Sequence, residues 1–402
     1  MTGNKRIYIF LEHYYPKSQS ISAQLISELA DGISEFGHEI FLIVPDPNVK
    51  FPFEIRIIKG QKVVFFKSPD TKKSNRILRA LSELLLSLSA YISLRDFIRE
   101  NPPEYILYLS PTIFYGPYLN YLKKNLNIKS YLILRDIFPQ WAVEVGLIKE
   151  NSFIHKFFKY FEELNYSAAN HIGLEAPSIL NQFNQRQVAH AKKTELLFNW
   201  VRKDKPNVRK EISLREKYGL KDELIFFYGG NIGVAQDVQN IVRLAENMKN
   251  ITKVVFIIIG NGTERKLIHD LIFEKKLDEK IIFDEGVSNE IFMDYITEVD
   301  VGLISLNKNN RGHNIPGKIL NYCRFGIPIL GSVNQNNDII NIINENNAGI
   351  VVTNGDDSQF FNAAKHFLDK SFRAESSVGS KGLVEKLFSV DVASNKILEK
   401  IL

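Results

Sequence analysis

Leu224-Ile225-Phe226-Phe227-Tyr228-Gly229-Gly230-Asn231-Ile232-Gly233 runs from five apolar residues straight into a glycine-rich turn. A short apolar run bounded by glycines reads as a buried strand. A turn without bulky side chains lets backbone N–H groups point at an anion. A second stretch, His313-Asn314-Ile315-Pro316-Gly317-Lys318, leads into a helical run. Pro316 suits a first helical position and Asn314 a cap, which leaves the N–H groups of Gly317 and Lys318 and the Lys318 ammonium facing any phosphate nearby. Arg311 adds a second cation. Two such places in one half of the chain indicate that this half grips a diphosphate, with a nucleotide sugar as the first candidate.

The pattern continues in both directions. After the glycine turn, strand-like runs recur at residues 254–259, 281–283, 301–305, 327–330 and 349–352. Helical periods fill the gaps at 238–248, 264–275, 289–298, 318–325 and 338–344. The first half has the same rhythm, with strands at 7–11, 39–44, 63–66, 105–109 and 131–134 and helices at 22–36, 77–99 and 113–124. A polar, charged stretch at 201–210 separates the halves. The expected fold class is α/β, with two Rossmann-like, doubly wound parallel-sheet domains facing across a cleft and ligands at the carboxyl ends of the strands. The expected domains are residues 1–203, residues 204–384, and a helix over 385–402 packing back on the first domain.

Bulk composition narrows the function. With 402 residues there is room for two large cores, and the lone Cys323 excludes a disulfide framework and a cysteine metal cage. No run reaches the roughly 18 apolar residues of a spanning helix, and residues 7–11 are too short for a secretory leader's core. A cytoplasmic protein is expected. Residues 1–205 hold 27 Lys and Arg against 20 Asp and Glu, a surplus that suits an anionic partner. Within that half Lys72, Lys73, Arg76 and Arg79 open a run containing Leu78, Leu81, Leu84, Leu85, Leu88 and Ile92. Cations at one end of an apolar stripe fit either a core helix or a helix lying on anionic lipid, so region 72–92 is the candidate membrane contact.

Several chemistries are missing. The chain has no Asp-x-Asp pair, no His-Glu-x-x-His, no Gly-x-Ser-x-Gly and no Walker loop. No basic-aromatic nucleic-acid motif occurs, and no nucleic-acid partner is expected. What remains lies at strand ends. Leu134-Arg135-Asp136-Ile137-Phe138-Pro139-Gln140-Trp141 brings acid, amide and ring together after a strand, a set that suits sugar recognition. Glu12-His13-Tyr14-Tyr15-Pro16 does the same after the first strand. Gly260-Asn261-Gly262 follows another strand and suits a close backbone approach to a base or ribose, or a plain turn.

These segments in this order resemble the GT-B glycosyltransferases of family four, and most of all the bacterial L-fucosaminyltransferases of O-antigen and capsule assembly. The resemblance also takes in Gly37-His38-Glu39, Ser110-Pro111-Thr112 and Asn199-Trp200. It implies transfer from a UDP-sugar without a bound metal or other cofactor. It places the UDP on Gly230, Asn231 and Lys318, and the uracil near Gly262 and Val287. Gly229, Gly233, Gly260, Arg311, Asn314, Pro316, Gly317 and Asn321 complete the donor set. Tyr14, Tyr15, Arg135, Gln140, Trp141 and Asn199 are the other substrate-binding candidates. The family's two glutamates, eight positions apart, correspond here to His313 and Asn321, and Val234-Ala235-Gln236 stands where its Arg and Lys follow the glycine loop.

The resulting expectation is transfer of an N-acetylated 6-deoxyhexose of the L-fucosamine type from UDP to an acetamido sugar on a polyprenyl diphosphate, in O-antigen (lipopolysaccharide) or capsule synthesis. The enzyme would sit peripherally on the cytosolic face of the inner membrane. The catalytic candidates are Asp136, with His13 and Glu144 behind it as bases, and His313. A UDP-sugar 2-epimerase and a non-catalytic binder of nucleotide sugar or glycolipid are the alternatives.

Overall fold

The computed structural model describes residues 3–15, 21–70, 82–110, 112–204, 212–310, 312 and 314–402. Pro16, Lys72, Lys73, Arg76, Leu78, Arg79, Leu81, Pro111, Arg311 and His313 lie outside the described residues. The chain forms two compact units, one of residues 1–198 with 390–402 and one of residues 199–389. The crossings therefore fall at Phe198 and Ser389 rather than at 203 and 384.

The first unit is built on an eight-stranded sheet. Its strands are β1 (Arg6–Phe10), β2 (Glu39–Asp46), β3 (Phe53–Ile58), β4 (Gln61–Lys67), β5 (Tyr105–Leu109), β6 (Lys129–Leu134), β7 (His171–Leu174) and β8 (Thr194–Leu196). They lie in the order β3-β4-β2-β1-β5-β6-β7-β8. All pairs are parallel except β3 with β4. β3 is the exception because the tight Lys59-Gly60 turn, with φ of 50° and 82°, joins it to β4 as a hairpin; three of its six residues are exposed, and its Glu54–Arg56 pair puts charge on an open edge, which discourages further pairing. The central strands are buried along almost their whole length, as strands covered on both faces must be.

Helices α1 (Ile21–Glu35), α2 (Leu86–Glu100), α3 (Gly116–Leu126), α4 (Gln140–Glu144), α5 (Phe153–Ala168) and α6 (Pro177–Arg186) complete most of this unit. α2, α3 and α5 pack over one face of the sheet in a core that includes Tyr8, Phe10, Phe97, Tyr108, Tyr118 and Tyr166. Gly116 lets α3 lie against the backbone of Leu164 and Asn165 in α5, where a Cβ would come within 2.6 Å of the Asn165 nitrogen.

The second unit is a six-stranded parallel sheet of β9 (Leu224–Gly229), β10 (Val254–Ile259), β11 (Ile281–Asp284), β12 (Val301–Ser305), β13 (Ile329–Val333) and β14 (Gly349–Thr353). The order β11-β10-β9-β12-β13-β14 reverses between β9 and β12. The sheet is joined by α8 (Val238–Asn247), α9 (Arg265–Glu274), α10 (Asn289–Ile296), α11 (Lys318–Phe325), α12 (Ile339–Glu345), α13 (Asp357–His366) and α14 (Lys370–Leu383), with the short α7 (Leu214–Tyr218) before it. The final helix, α15 (Val390–Ile401), returns to the first unit. There it packs on α1, where Gly32 leaves room for Val390 and Ser394.

Candidate functional site

The reversal of strand order between β9 and β12 leaves a crevice at their carboxyl ends, the usual ligand position in an open α/β sheet. A cavity of about 390 Å³ lies there. Asn231 and Gln236 line it from the β9 side, Ser305 and Asn310 from the β12 side, and Pro316 and Lys318 from the start of α11. The two stretches singled out in the sequence, about eighty positions apart, therefore meet on one cavity.

The local sequence explains how each wall is fixed. α11 begins at Lys318 with Gly317 as its N-cap. No side chain caps it, so the expected Asn314 cap is replaced by an open amino end, with Pro316 just outside. Tyr322 holds the helix in place. Its buried hydroxyl donates to the Phe227 carbonyl at 3.1 Å, and its ring lies where a side chain on Gly302 would come within 2.6 Å. One residue thus docks α11 on both strands of the switch point. The Lys318 ammonium lies 3.5 Å from the centre of the Tyr228 ring, a close cation–π contact. Burial pushes its pKa down to about 7 although part of the residue still meets solvent. A lysine held in this way is ready to recover its full charge when an anion arrives.

The glycine turn is braced from behind. Gly230 has φ of 146°, open to glycine alone, and a side chain there would press on Lys318. Gly260 follows β10 with no room for a Cβ, which would overlap the Gly230 carbonyl oxygen. The Gly230 N–H donates to the Ile259 carbonyl at 2.9 Å and that of Ile232 to Asn261 at 2.8 Å. The close approach at Gly260 and Gly262 is therefore to the neighbouring turn's own backbone. Arg265 adds a strut, donating to the carbonyls of Gly260 and Asp284. Beyond the turn, Tyr228 Oη donates to the Asn231 carbonyl and Asn231 Nδ2 to Gln236. Gly229 is packed on Phe292, Gly233 sits beside Asn231, and Val287 is half-buried in the loop after β11, next to a Gly286 that faces Asn261. Asn321 is half-buried on α11.

A second network was not foreseen. Asp237 has φ of 42°, a left-handed conformation costly for a residue with a Cβ. Its carbonyl accepts from Ser305 Oγ and its carboxylate from Asn354 Nδ2, which also donates to the Leu306 carbonyl. The Asn307 backbone and amide donate to the carbonyls of Ala235 and Val234. These bonds button the loop after β12 onto the segment after the glycine turn. Nothing in the spacing of Asp237, Ser305 and Asn354 announces this in the sequence. Asn354→Ala is expected to destabilise the unit by about 1–3 kcal/mol, because it strands a buried carbonyl and carboxylate. Denaturant melts of the two proteins test this, and equal midpoints would refute it.

In the first unit the strand order turns between β1 and β5. The loops after β1, β5 and β6 are tied together there: Tyr115 Oη donates to the Leu11 carbonyl and Ser110 Oγ to the Asp136 carbonyl. Half-buried Glu12 and His13 and exposed Asp136 thus lie at one end of the sheet. Protein packed around the Asp136 carboxyl raises its pKa, and Arg135 opposes the rise. The open face of the side chain lets water temper the effect. Arg135 is turned inward, donating to the Leu197 carbonyl at 2.9 Å. Burial lowers its pKa, and Glu175 most strongly counters that.

Several candidate residues in this unit are held by partners of their own. Tyr14 is 3% exposed and donates to the Ile58 carbonyl, so it is part of the core and not a substrate contact. Glu144 is exposed and pairs with Arg186 at 3.1 Å, and Gln140 donates to the same carboxylate. In this surface cluster Glu144 and Gln140 are partners of each other. Tyr15 lies under the Lys59 ammonium, 4.5 Å from ring centre to nitrogen, and Trp141 is exposed. Asn199 opens the second unit, half-buried before the fully buried Trp200.

Solved structures share this architecture across almost the whole chain. Sucrose-phosphate synthase from Thermosynechococcus elongatus matches with a TM-score of 0.68 at 14% identity, covering 98% of each chain. WaaG, a glycosyltransferase involved in lipopolysaccharide biosynthesis, matches at 0.64 and 13%, covering 98% of this chain and 99% of its own. The fold is GT-B. HepE from Anabaena, solved with UDP-glucose, is a further GT-B match at 0.65 and 12%, covering 98% of this chain and 99% of that one. Residues 210–380 match the glycosyl transferases group 1 family, a stretch that takes in most of the second GT-B unit. In sequence the chain is 22% identical over 297 residues to the probable glycosyltransferase WbjE of Pseudomonas aeruginosa, covering 71% of this chain and 70% of that protein.

Proposed function

We propose that the protein is a glycosyltransferase that takes a sugar from a UDP donor held by the second unit and passes it to a lipid-linked acceptor bound by the first. The observation that carries this is the cavity at the β9–β12 reversal, where the Lys318 ammonium, the uncapped end of α11 and the Gly230 turn converge. A leaving nucleoside diphosphate gains charge as the glycosidic bond breaks. A cation and free N–H groups fixed in advance stabilise that charge. They supply positive charge from the protein itself, so the reaction is proposed to need no metal. The HepE complex with UDP-glucose and the group 1 match over residues 210–380 support the choice of donor class.

The finer reading is transfer of an L-fucosamine-type sugar to an acetamido sugar on polyprenyl diphosphate, in O-antigen or capsule assembly at the cytosolic membrane surface. It rests on the sequence resemblance, and the match to WaaG, a glycosyltransferase involved in lipopolysaccharide biosynthesis, supports a role in surface polysaccharide. Among the described residues no helix is long and apolar enough to cross a membrane, so the contact proposed is peripheral. Release of UDP from a panel of UDP-sugars, with and without lipid-linked acceptor, tests both levels. Turnover without acceptor would refute the transferase.

Asp136 is proposed as the general base that takes the acceptor hydroxyl's proton if the anomeric configuration inverts. Asp136→Asn is then expected to lower kcat about a hundredfold while UDP binding is unchanged. A base must be ionised, so activity falls as pH drops through its pKa, and that limb lies at higher pH than for an ordinary aspartate because the pKa is raised. Full activity of the variant would remove Asp136 from the reaction.

A further inference from the structure

Helices α2, α3 and α5 lie side by side on one face of the first sheet and show apolar side chains to solvent from their first turns to their middles. Ile92 is 64% exposed and Phe153 84%, and Leu88, Tyr121, Trp141 and Tyr160 are exposed with them. A phenylalanine that opens a helix almost fully in water calls for an explanation, and one that has company on two other helices makes a surface.

Side chains beneath the exposed residues link the three helices. The Phe114 ring packs on Phe158 and Phe161 of α5, at 6.3 and 5.1 Å, and its carbonyl accepts from Ser87 of α2. Tyr91 of α2 meets Tyr121 of α3 at 5.0 Å. Phe138 bridges Trp141 and Phe158, at 6.0 and 4.8 Å. The helices run against the parallel strands, so their amino ends lie at the carboxyl end of the sheet, where Asp136 and His13 are placed.

Cations accompany the apolar groups on all three helices. Arg95 shares a face with Leu88 and Ile92, Lys124 follows Tyr121 by one turn, and Lys156 stands between Phe153 and Tyr160, all three exposed. The nearby acids are largely engaged. Asp96 pairs with Arg99 and Glu144 with Arg186, while exposed Glu150 offsets Lys149. Apolar and aromatic residues leading, with lysine and arginine one turn behind, is the layout that places rings among acyl chains and cations at the level of phosphate headgroups.

We infer that the amino-terminal halves of α2, α3 and α5 form one docking surface for an anionic lipid bilayer. The surface is wider than the 72–92 stretch and is centred on Phe153 and Ile92. It holds the carboxyl end of the first sheet at the membrane, where a lipid-carried substrate presents its head. Its purpose rests on the acceptor class proposed above, but vesicle binding and UDP binding are read separately, so either can fail alone.

The test is sedimentation of the full chain with phosphatidylcholine vesicles, with and without phosphatidylglycerol. The wild type is expected to pellet with anionic vesicles and to stay in solution with neutral ones. Ile92→Ser with Phe153→Ser is expected to lower the partition coefficient about thirtyfold, and Lys156→Glu several-fold, since both insertion and charge contribute. An unchanged calorimetric transition of the first unit, the one that UDP does not raise, shows that the fold survives in the variants. Equal binding to both vesicle types, or undiminished binding by the double variant, would overturn the inference. So would a concentration-dependent dimer that the double variant abolishes, because the surface would then belong to a second copy of the chain.

Discussion

Lys318→Met is expected to weaken UDP binding about a thousandfold, and to raise the melting temperature of the ligand-free protein at pH 7. The two effects have one cause. Lys318 places an ammonium beside the Gly230 turn and the free amino end of α11, with the Tyr228 ring beneath it. Without an anion, burial holds its pKa at about 7 instead of 10.5. Between those values the unfolded chain carries a proton that the folded chain has lost, so this residue's contribution to stability rises with pH across the window. Below pH 7 both states carry the charge and its desolvation weighs fully on the native one. Methionine keeps the length and removes the charge, and stabilises the empty unit by about 2 kcal/mol once the ring and partial exposure are allowed for, or roughly 4–8 °C. When UDP binds, the diphosphate restores the ammonium. Binding then takes up a proton, and affinity falls by as much as about tenfold per pH unit above 7. Calorimetry in buffers of different ionisation enthalpy measures the uptake. Unchanged UDP affinity in the variant, or a lower melting temperature, would refute this account of the site.

What the sequence disclosed follows from how each element announces itself. β9, β10 and β12 are covered on both faces, so they appear as unbroken apolar runs and end at glycine or polar residues. β3 and β8 do not. β3 is a charged edge with half its residues exposed, and β8 is three half-buried residues, Thr194 to Leu196, whose period is too short to read. α5 escaped for another reason. Its inner stripe of Phe158, Phe161 and Asn165 runs opposite exposed Phe153 and Tyr160, so its rings do not all mark the core, and only the Ser152 cap marks its start.

The site was legible where it is local. The Gly230 turn and the Pro316-Gly317-Lys318 start of α11 can be read as anion-binding backbone because each acts through its own chain direction. Their partners cannot be read that way. Tyr228 under Lys318, Tyr322 tying α11 to β9 and β12, and Asn354 holding Asp237 all act across long sequence separations that only the sheet order brings together. Tyr14 misled for the opposite reason: an aromatic residue just after a strand suits a binding loop, yet this one folds back to Ile58.

Gly262→Ala is expected to destabilise the second unit by about 4 kcal/mol and to abolish UDP binding. Gly262 has φ of 156°, which a residue with a Cβ adopts only under strain. Its missing side chain also faces the backbone of Ile232: a Cβ would overlap the Ile232 oxygen and come within 2.7 Å of its nitrogen. A crowded side chain can change rotamer, but a carbonyl fixed by its own hydrogen bonds cannot, and Ile232 is bound through its N–H to Asn261 and through its oxygen to Glu264. The two turns must therefore part, and Gly230 and Asn231 move away from Lys318 as they do. Gly260→Ala meets the Gly230 oxygen without a positive φ, so a smaller loss is expected there. Gly382→Ala is the control. It lies in α14 with nothing within 4 Å of the added carbon, and is expected to stabilise by about 0.5–1 kcal/mol. Scanning calorimetry separates the units, since the transition that UDP raises belongs to the second. A Gly262→Ala protein whose UDP-sensitive transition stays in place would show that the turns do not need their backbone contact, and the glycine cradle would then have no part in holding the diphosphate.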